Sequence, residues 1–560
     1  ELVLQQLALR LTHSWDKLQL GLQAQAPAVA GGPIDVRAEI GHASDMTLAQ
    51  AERPLHVYVA LTEANLAALY AWLEYPVALA GVGDVRIWAS ARGKTLEEID
   101  ARLNLGEVLL QLHEADIPLE LAQLSGRARW RSSEAGMVGS LENVRFAFAQ
   151  PRSAADMAQP ASPVDGGALA GQTVFGPLSA RFQWAPQVGG ELRVDTIELE
   201  GLARMLASAP LTPELHTALR DAAPRGRLQA VQLRWQGALS ALQDWQFDSQ
   251  FAELGVNPYG KLPGWQDLAG EIRISPAAGR FVLTGNEHTQ LHLPQVFPLG
   301  SLAFERLNAR GGWHRDGPRV QVDLEQVEFA NPDAAGQAHG RYIWVPGHKG
   351  EIDLTATLDW AQPDAVWKYL PSVVDEKTRH WVQHSIHGGR VNSAALRLLG
   401  ALEDFPFRDA QQGEFSVRVA VAGTQLNYDD AWPAIGGIDG VVQFRGPALE
   451  IAAERASVSG VTLQEVTATI ADLGANGQQM LQIAGKAQGP SDGFLQFVAN
   501  SPVYQYIHGV TEGLRADGNA ALQLRIELPL HQPSRTAVAG ALELDGNRFH
   551  WGTDWPVVDR

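Results

Sequence analysis

The feature that most constrains the fold of this chain is a long alternation of apolar and polar residues with a period of two. It is clearest over residues 414–421, where Glu414, Ser416 and Arg418 alternate with aromatic and aliphatic residues. Successive side chains of a β-strand point to opposite faces of the sheet, so this pattern predicts a half-buried strand. The pattern recurs along the chain with Arg, Gln, Asp, Glu and Thr at the polar positions. The sheet is therefore predicted to be apolar on one side only.

A short strand phrase repeats and indicates how the strands follow one another. It occurs as LSGRARW at 124, LSARFQW at 178, LAGEIRI at 268, LNARGGW at 307 and IDGVVQF at 438. Each copy is followed by a turn and a further alternating strand, which predicts a succession of antiparallel hairpins. Residues 96–121 fit either paired strands or a partly helical segment. Many of the 16 tryptophans end strands, and we interpret them as rim packing rather than as platforms for sugars.

Four short amphipathic helices are predicted near residues 62–74, 212–223, 372–387 and 502–514, each before a strand-rich tract. Thr212 is the predicted N-cap of the second helix, with Pro213 in its first turn. These repeats divide the chain into sections at 1–148, 178–368, 369–500 and 501–560. Residues 149–177 are rich in Ala, Pro, Ser, Gly and Gln and are predicted to form a mobile loop.

Composition excludes several classes of function. A formal net charge of −19 argues against a nucleic-acid partner, because phosphate binding needs a basic surface. The chain has no cysteine, so it has no disulfide, thiolate zinc site or thiol nucleophile. No stretch approaches 18 consecutive apolar residues. The chain begins inside an alternating run without an initiator Met, so we expect it to be a piece of a longer protein.

The residues that most resemble a chemical site are three histidines. His380, His384 and His387 are spaced for one sector of a helix, but they lack the acidic partner of the HExxH zinc pattern. We interpret them as a solvated polar face. Gly81 and Gly83 begin like a dinucleotide loop, but they precede a strand where that fold needs a helix. Without a GxSxG, P-loop or HExxH motif, we predict no catalytic residue, no metal and no cofactor.

Segments along nearly the whole chain carry a resemblance to a known family. The segments PSVVDEKTRHWVQHSIHGGRV, LLGALEDFPF, GEFSVRV, LNYDDAWPAIGGIDGVVQFRGPALEI and VTATIADL resemble the YhdP family of AsmA-like proteins. The combination of Phe405, Pro406 and Phe407 with Tyr428, Trp432 and Pro433 is fairly specific, whereas each piece alone is a weak signal. GVGDVRIW, AAPRGRLQAVQLRWQG and FVANSPVYQY are similar to other landmarks of the family.

The resemblance implies a fold and a function. The expected fold is mainly β: a long twisted antiparallel sheet folded lengthwise into an apolar groove, of the β-taco or repeating β-groove type, with a few short amphipathic helices. Proteins of this family are expected to cross the periplasm of Gram-negative bacteria and to conduct phospholipids from the inner toward the outer membrane. The chain would lack the N-terminal inner-membrane anchor of the full-length protein. The expected partners are phospholipid acyl chains and the inner membrane, with outer-membrane or periplasmic partners unknown.

The resemblance also implies which residues line the groove, namely apolar positions of the alternating strands. They are Val322, Leu324, Ile352, Leu354, Leu358, Phe415, Val417, Val419, Val421, Phe444, Ile451, Leu522, Leu524 and Ile526. Two alternatives stay open: a modular β-sandwich surface, adhesion or sugar-binding protein, and an all-β polysaccharide-active enzyme. Separate sandwiches would show linkers between units, and an enzyme would show a local cluster of acids and aromatics.

Overall fold

The computed structural model describes residues 4–27, 29–41, 53–70, 78–111, 118–149, 173–186, 188–207, 209, 211–237, 244–260, 262–475, 477–551 and 558–559. The predicted loop at 149–177 therefore lies mostly outside the described residues. The chain divides into two compact units, Glu1–Pro276 and Ala277–Arg560. Each is built almost entirely of antiparallel strands. No helix in the described ranges is long and apolar enough to cross a membrane.

The first unit is a β-meander in which every strand pairs with the next one along the chain. Of residues 96–121, which fitted either structure in the sequence, 96–111 and 119–121 belong to strands, and 112–117 lie outside the described residues. The strands are β1 (Gln5–His13), β2 (Lys17–Gln25), β3 (Pro33–Gly41), β4 (Pro54–Asn65), β5 (Ala78–Arg92), β6 (Thr95–Gln111), β7 (Leu119–Ser133), β8 (Gly136–Phe148), β9 (Val174–Ala185), β10 (Gly189–Glu198), β11 (Arg225–Gln236), β12 (Asp244–Val256) and β13 (Gly264–Ile274).

The second unit continues the same plan, with two short strands added beside the main succession. The strands are β14 (Ala278–His292), β15 (Ser301–Ala303), β16 (Arg306–Asp316), β17 (Arg319–Ala330), β18 (Ala334–Trp344), β19 (Glu351–Ala361), β20 (Ile386–His387), β21 (Arg390–Ala401), β22 (Gly413–Leu426), β23 (Ile435–Arg445), β24 (Ala448–Val458), β25 (Val461–Ile470), β26 (Met480–Pro490), β27 (Leu514–Pro529), β28 (Ala537–Trp551) and β29 (Val558–Asp559). The predicted fold class, mainly β with long antiparallel sheet and few short helices, is confirmed.

The described α-helices interrupt this succession at only four connections. They are α1 (Leu66–Tyr70), α2 (Leu199–Leu206), α3 (Pro213–Ala222), α4 (Glu376–Ser385), α5 (Ser491–Ala499) and α6 (Val503–Tyr506), with 3-10 turns at Pro363–Tyr369 and Pro533–Arg535. In an antiparallel meander, every second connection lies at the same end of the strands. All six α-helices lie in connections at one such end within their own unit, and we name this border of the sheet the helix edge. The border formed by the opposite ends of the strands is named the hairpin edge.

Local chemistry explains where the predicted helices begin and end. The Thr212 side chain accepts a hydrogen bond from the backbone N–H of Leu215, and Pro213 lies in the first turn of α3, as the sequence predicts. Asp375 caps α4 in the same way, through the N–H of Thr378 at 3.0 Å. Of the helix predicted near 502–514, only the four residues of α6 are α-helical. His508 and Gly509 have positive φ, and Leu514 begins β27.

β-Bulges near the helix edge bend the strands of the first unit. The register shifts between Leu61 and Ala64 in β4, and again between Phe251 and Leu254 in β12. Several residues of these strands other than glycine have positive φ, among them Glu107 in β6. Because a bulge adds a residue to one strand and increases its local twist, a series of bulges curves the sheet.

Both clusters of fully buried apolar residues in the described part of the chain lie in the first unit. The larger one, the closed cluster, contains Val85, Leu105, Val108, Leu121, Phe146 and Phe175, with exposures between 1% and 7%. Helix α2 packs on it: a Cβ added to Gly201 would lie 2.7 Å from Cδ1 of Phe175. The smaller cluster joins Ala26 and Ala30 to Ala64 and to Leu69 of α1. The helices thus close part of the apolar side.

Candidate functional site

The strand register of the second unit assembles the predicted apolar residues into one face. Val419 of β22 lies opposite Ala394 of β21 and Val442 of β23. Residues directly opposite each other in an antiparallel pair point to the same side of the sheet. Following the pairs from β19 to β28 gives one apolar row across nine strands. Its members are Leu358, Ala394, Val419, Val442, Ile451, Ala468, Ile483, Ile526 and Val538.

A second row runs parallel to the first on the same face. It passes through Val417, which lies opposite Leu396 and Phe444. The whole row contains Ala338, Ala356, Leu396, Val417, Phe444, Leu449, Ile470, Leu481 and Leu528. We call the two rows and the apolar residues flanking them the apolar face. Its width, at about 4.8 Å between neighbouring strands, is roughly 38 Å over nine strands.

The opposite side of the same strands is polar. Arg418 lies opposite Gln443, and Gln443 lies opposite Glu450. The next members are Thr469, Gln482 and Glu527. The strict separation of the two sides follows from the period of two, because a shift of one residue would exchange every side chain between them. The alternation predicted for residues 414–421 is confirmed by this register.

All fourteen residues predicted to line a groove lie on the apolar face. The pairs Val322–Tyr342–Ile352 and Leu324–Gly340–Leu354 extend the face across β17, β18 and β19. All fourteen are half-buried: none is fully buried and none is more than about a third exposed. Strands of the described part of the chain contact mainly their neighbours in the sheet and adjacent helices. A second sheet packed on this face would bury such residues completely.

Several residues of the apolar face were missed at the sequence level. Leu396, Val442 and Ile483 are examples, each aligned with a predicted residue on the neighbouring strand. The signal that identifies them is the same alternation, present in β21, β23 and β26. Only the register shows that they continue one row.

Side chains at the helix edge of the second unit join its helices and loops into a rim. The indole N–H of Trp381 in α4 donates to the carbonyl oxygen of Tyr428 at 3.1 Å. The Trp432 and Phe497 rings, the latter in α5, have centroids 5.9 Å apart. Burial raises the pKa of Tyr428 to about 12, so its hydroxyl remains protonated. The rim therefore borders the apolar face with neutral aromatic groups.

A polar clasp holds the 3-10 turn at the start of this rim. The Lys368 ammonium contacts both carboxylate oxygens of Asp333 at 2.9 Å. The Tyr369 hydroxyl donates to the same carboxylate at 3.0 Å, and Asn331 donates to that hydroxyl. Burial raises the pKa of Tyr369 to about 12. These contacts fix the 3-10 turn to the residues that follow β17. They give Lys368, Tyr369 and Asp333 a structural role, so no catalytic role is needed to explain the cluster.

The three histidines do not form one site. His380 and His384 stack in α4 with ring centroids 4.0 Å apart, whereas His387 lies in the short strand β20. Nδ1 of His384 lies 2.8 Å from the carbonyl oxygen of His380, and Nε2 of His387 lies 2.8 Å from that of His384. No group of three metal-ligating residues occurs in the ranges that the structure describes.

A cleft of about 1070 Å³ lies on the polar side of β1–β6. The Arg37 guanidinium donates to Asp35 and lowers the pKa of that carboxyl, and the amide of Gln19 does the same for Glu39. Arg37 also lies over the ring of Tyr58. These carboxyls are ionised and bound to their neighbours, which is the pattern of a solvated ion-paired surface and unlike a general acid with a raised pKa.

Together the geometry defines a class of protein: an antiparallel sheet with one extended, half-buried apolar face, the surface expected of a groove for apolar ligands. A model of the family described as "YhdP protein" matches residues 1–559, and the chain belongs to this family. The intermembrane phospholipid transporter YhdP of Escherichia coli (strain K12) is 22% identical over 373 residues, which cover 63% of this chain and 28% of that protein. The chain thus spans less than a third of that relative. No solved structure matches.

Proposed function

We propose that this chain is a section of a bridge that conducts phospholipids between the inner and outer membranes through its apolar groove. The observation that carries the proposal is the half-buried apolar face of β17–β28, continuous across the register. The relative that is named an intermembrane phospholipid transporter supports the choice of ligand. The section acts in the periplasm, as part of a full-length protein anchored to the inner membrane, and it carries out no catalysis.

The energetics of lipid transfer explain why such a face is needed. A phospholipid carries roughly thirty CH₂ groups, and each costs about 0.8 kcal/mol to expose to water. Crossing an aqueous gap unaided therefore costs more than about 20 kcal/mol. An apolar face that stays in contact with the acyl chains removes most of this barrier. A row of aligned aliphatic side chains also presents few polar groups that would hold the lipid at one place.

The burial of the face favours an open trough over a closed sandwich. In a sandwich, residues such as Val417 and Ile451 would belong to a buried core between two sheets. Here they are half-buried, and Val538 at the end of the first row is 64% exposed. A surface of this kind and extent on a soluble region marks a binding site for an apolar partner.

Photocrosslinking tests the proposal at two neighbouring positions of β22. A photoreactive residue at Val419 should crosslink phospholipid, whereas the same residue at Arg418, on the polar side, should not. The two positions share one strand and differ only in the direction of the side chain. Mass spectrometry of the crosslinked protein and of lipids extracted from it identifies the adduct. Equal crosslinking at both positions, or none at Val419, would refute the proposed lipid path.

A further inference from the structure

In the first unit, the apolar side of the sheet carries a row of aromatic residues at the hairpin edge and a buried cluster at the helix edge. At the hairpin edge, Met137 of β8 lies opposite Trp184, which lies opposite Gly190 of β10. Gly190 lies opposite Trp235, and Trp235 lies opposite Trp245 of β12. These five residues form a row across five strands, which we call the tryptophan shelf. Three of its five residues are tryptophans.

A glycine shapes the shelf. A Cβ added to Gly190 would lie 2.3 Å from Cζ2 of Trp235, so the indole ring lies flat against the β10 backbone. The same ring stacks on Phe182 with centroids 6.0 Å apart and an angle of 26° between the ring planes. Trp235 is 5% exposed. Trp235 is therefore packed inside the shelf, and the half-buried Met137, Trp184 and Trp245 form its accessible part.

The same strands are closed at the helix edge. Leu121 of β7, Phe146 of β8 and Phe175 of β9 belong to the closed cluster, and α2 packs over Phe175. Between the two edges of β8 lies Leu141, on the same side as Met137 and 39% exposed. An apolar ligand on these strands can reach Leu141 from the hairpin edge, but the helix edge is already filled by protein.

We propose that a phospholipid on the first unit lies with its glycerol ester and phosphate region at the tryptophan shelf and its acyl chains directed toward the helix edge. This inference rests on the proposed function. Tryptophan side chains are enriched at the boundary between hydrocarbon and polar head groups. In this shelf the indole N–H groups of Trp184 and Trp235 are buried, so the half-buried rings make the contact with the lipid. Leu141 lies four residues from Met137, about 13 Å along the strand. The hydrocarbon of one membrane leaflet is about 15 Å deep, so the chain ends lie near Leu141.

The absence of cysteine makes the test direct, since one introduced thiol is the only one in the chain. Met137→Cys and Leu141→Cys place a bimane fluorophore at two depths of the same side of β8. Val138→Cys, on the polar side and 56% exposed, is the control. Each labelled protein is loaded with phosphatidylcholine carrying a nitroxide quencher either on the head group or near the end of an acyl chain. Circular dichroism confirms that each variant is folded.

The head-group nitroxide should quench position 137 at least about twofold more than position 141, because the positions are separated by about 13 Å. The chain-end nitroxide should give the reverse order, and position 138 should respond weakly to both. Where a variant fails to fold, Trp245→Cys replaces the shelf position and Ala128→Cys, opposite Leu141, replaces the inner one.

The outcomes separate the inference from the proposed function. A reversed order, or equal quenching of positions 137 and 141 by both lipids, overturns the orientation while lipid remains in the groove. Bound lipid that quenches neither position also overturns it, because the lipid then lies elsewhere. A folded protein that binds neither lipid overturns the proposed function itself.

Discussion

The closed cluster of the first unit and the apolar face of the second are built from the same alternating strands but reach different degrees of burial. Leu105 is 1% exposed and Val108 is 2% exposed, whereas Val417 and Val419 are half-buried. What differs is the cover. Helix α2 and residues of the bulged strands pack on the closed cluster, whereas the contacts described for the helices of the second unit lie at the border of the apolar face. One pattern thus makes either a core that stabilises the fold or a surface that is available to a ligand.

A charge placed in the closed cluster should have the largest effect. Leu105→Asp should prevent the first unit from folding, because an unpaired buried carboxylate costs several kcal/mol. The milder Leu105→Ala should lower the free energy of unfolding by about 2–5 kcal/mol through the cavity it leaves. Urea denaturation followed by far-UV circular dichroism measures both. A folded Leu105→Asp protein with an unchanged midpoint would show that this cluster is also open to water.

The matching change on the apolar face should spare the fold and remove lipid binding. Val417→Asp combined with Val419→Asp should lower the free energy of unfolding by no more than about 3 kcal/mol, since half-buried carboxylates still reach water. Phospholipid carried by the purified protein should fall to background, as measured by lipid mass spectrometry. Arg418→Asp on the polar side is the control and should keep its lipid. Global unfolding of the double variant would instead favour a closed sandwich.

Alanine substitutions at two glycines test how tightly the hairpin edge of the first unit is packed. Gly190→Ala should destabilise the protein by about 1–3 kcal/mol, because the new methyl group would overlap the Trp235 ring. Gly139→Ala, two residues along β8 from the shelf residue Met137, would place its new Cβ 3.5 Å from the nearest atom and should change stability by less than about 0.5 kcal/mol. Thermal melting measures the difference. Equal effects would mean that the shelf is loosely packed.

The smallest effect should come from the polar side. A hydrogen bond from Arg127 lowers the pKa of Asp100, whose side chain is 19% exposed. The folded state therefore binds the proton less readily than the unfolded chain, and the stabilisation is complete above the ordinary aspartate pKa of about 3.9. It is lost as pH falls below about 4 through the lowered folded-state pKa. Asp100→Asn should cost up to about 1 kcal/mol at pH 7 and progressively less in acid.

A double-mutant cycle checks that Arg127 is the cause. In an Arg127→Gln background, Asp100→Asn should have a much weaker pH dependence of unfolding between pH 7 and 2.5, values chosen to bracket an aspartate pKa of about 3.9. An unchanged pH dependence in that background would assign the effect to Arg129, whose Nε lies 3.7 Å from Asp100.

Sequence reasoning located most of the strands but missed several short helices. Helix α2 continues directly from β10, and its apolar residues read as an extension of the strand pattern. Helix α5 has nine residues, a length at which a helix depends on packing rather than on propensity. Both are held by close contacts of a glycine with a distant strand, Gly201 on Phe175 and Gly493 on Val461. The residues near each helix in the sequence do not indicate which distant residue it packs against.

The sequence by itself determined the local properties: alternating strands, their succession as hairpins, the one-sided distribution of apolar residues and the cap at Thr212. These local properties depend on residues within a few positions of one another, so they can be predicted directly from the sequence. Only the tertiary structure decided that Leu105 is sealed and Val419 is half-exposed, although both lie at apolar positions of similar strands. Burial depends on which helix or bulged strand packs above a residue, and such partners are distant in sequence. The register between neighbouring strands aligns their apolar residues, and this alignment makes one continuous apolar face from the alternating patterns of the separate strands.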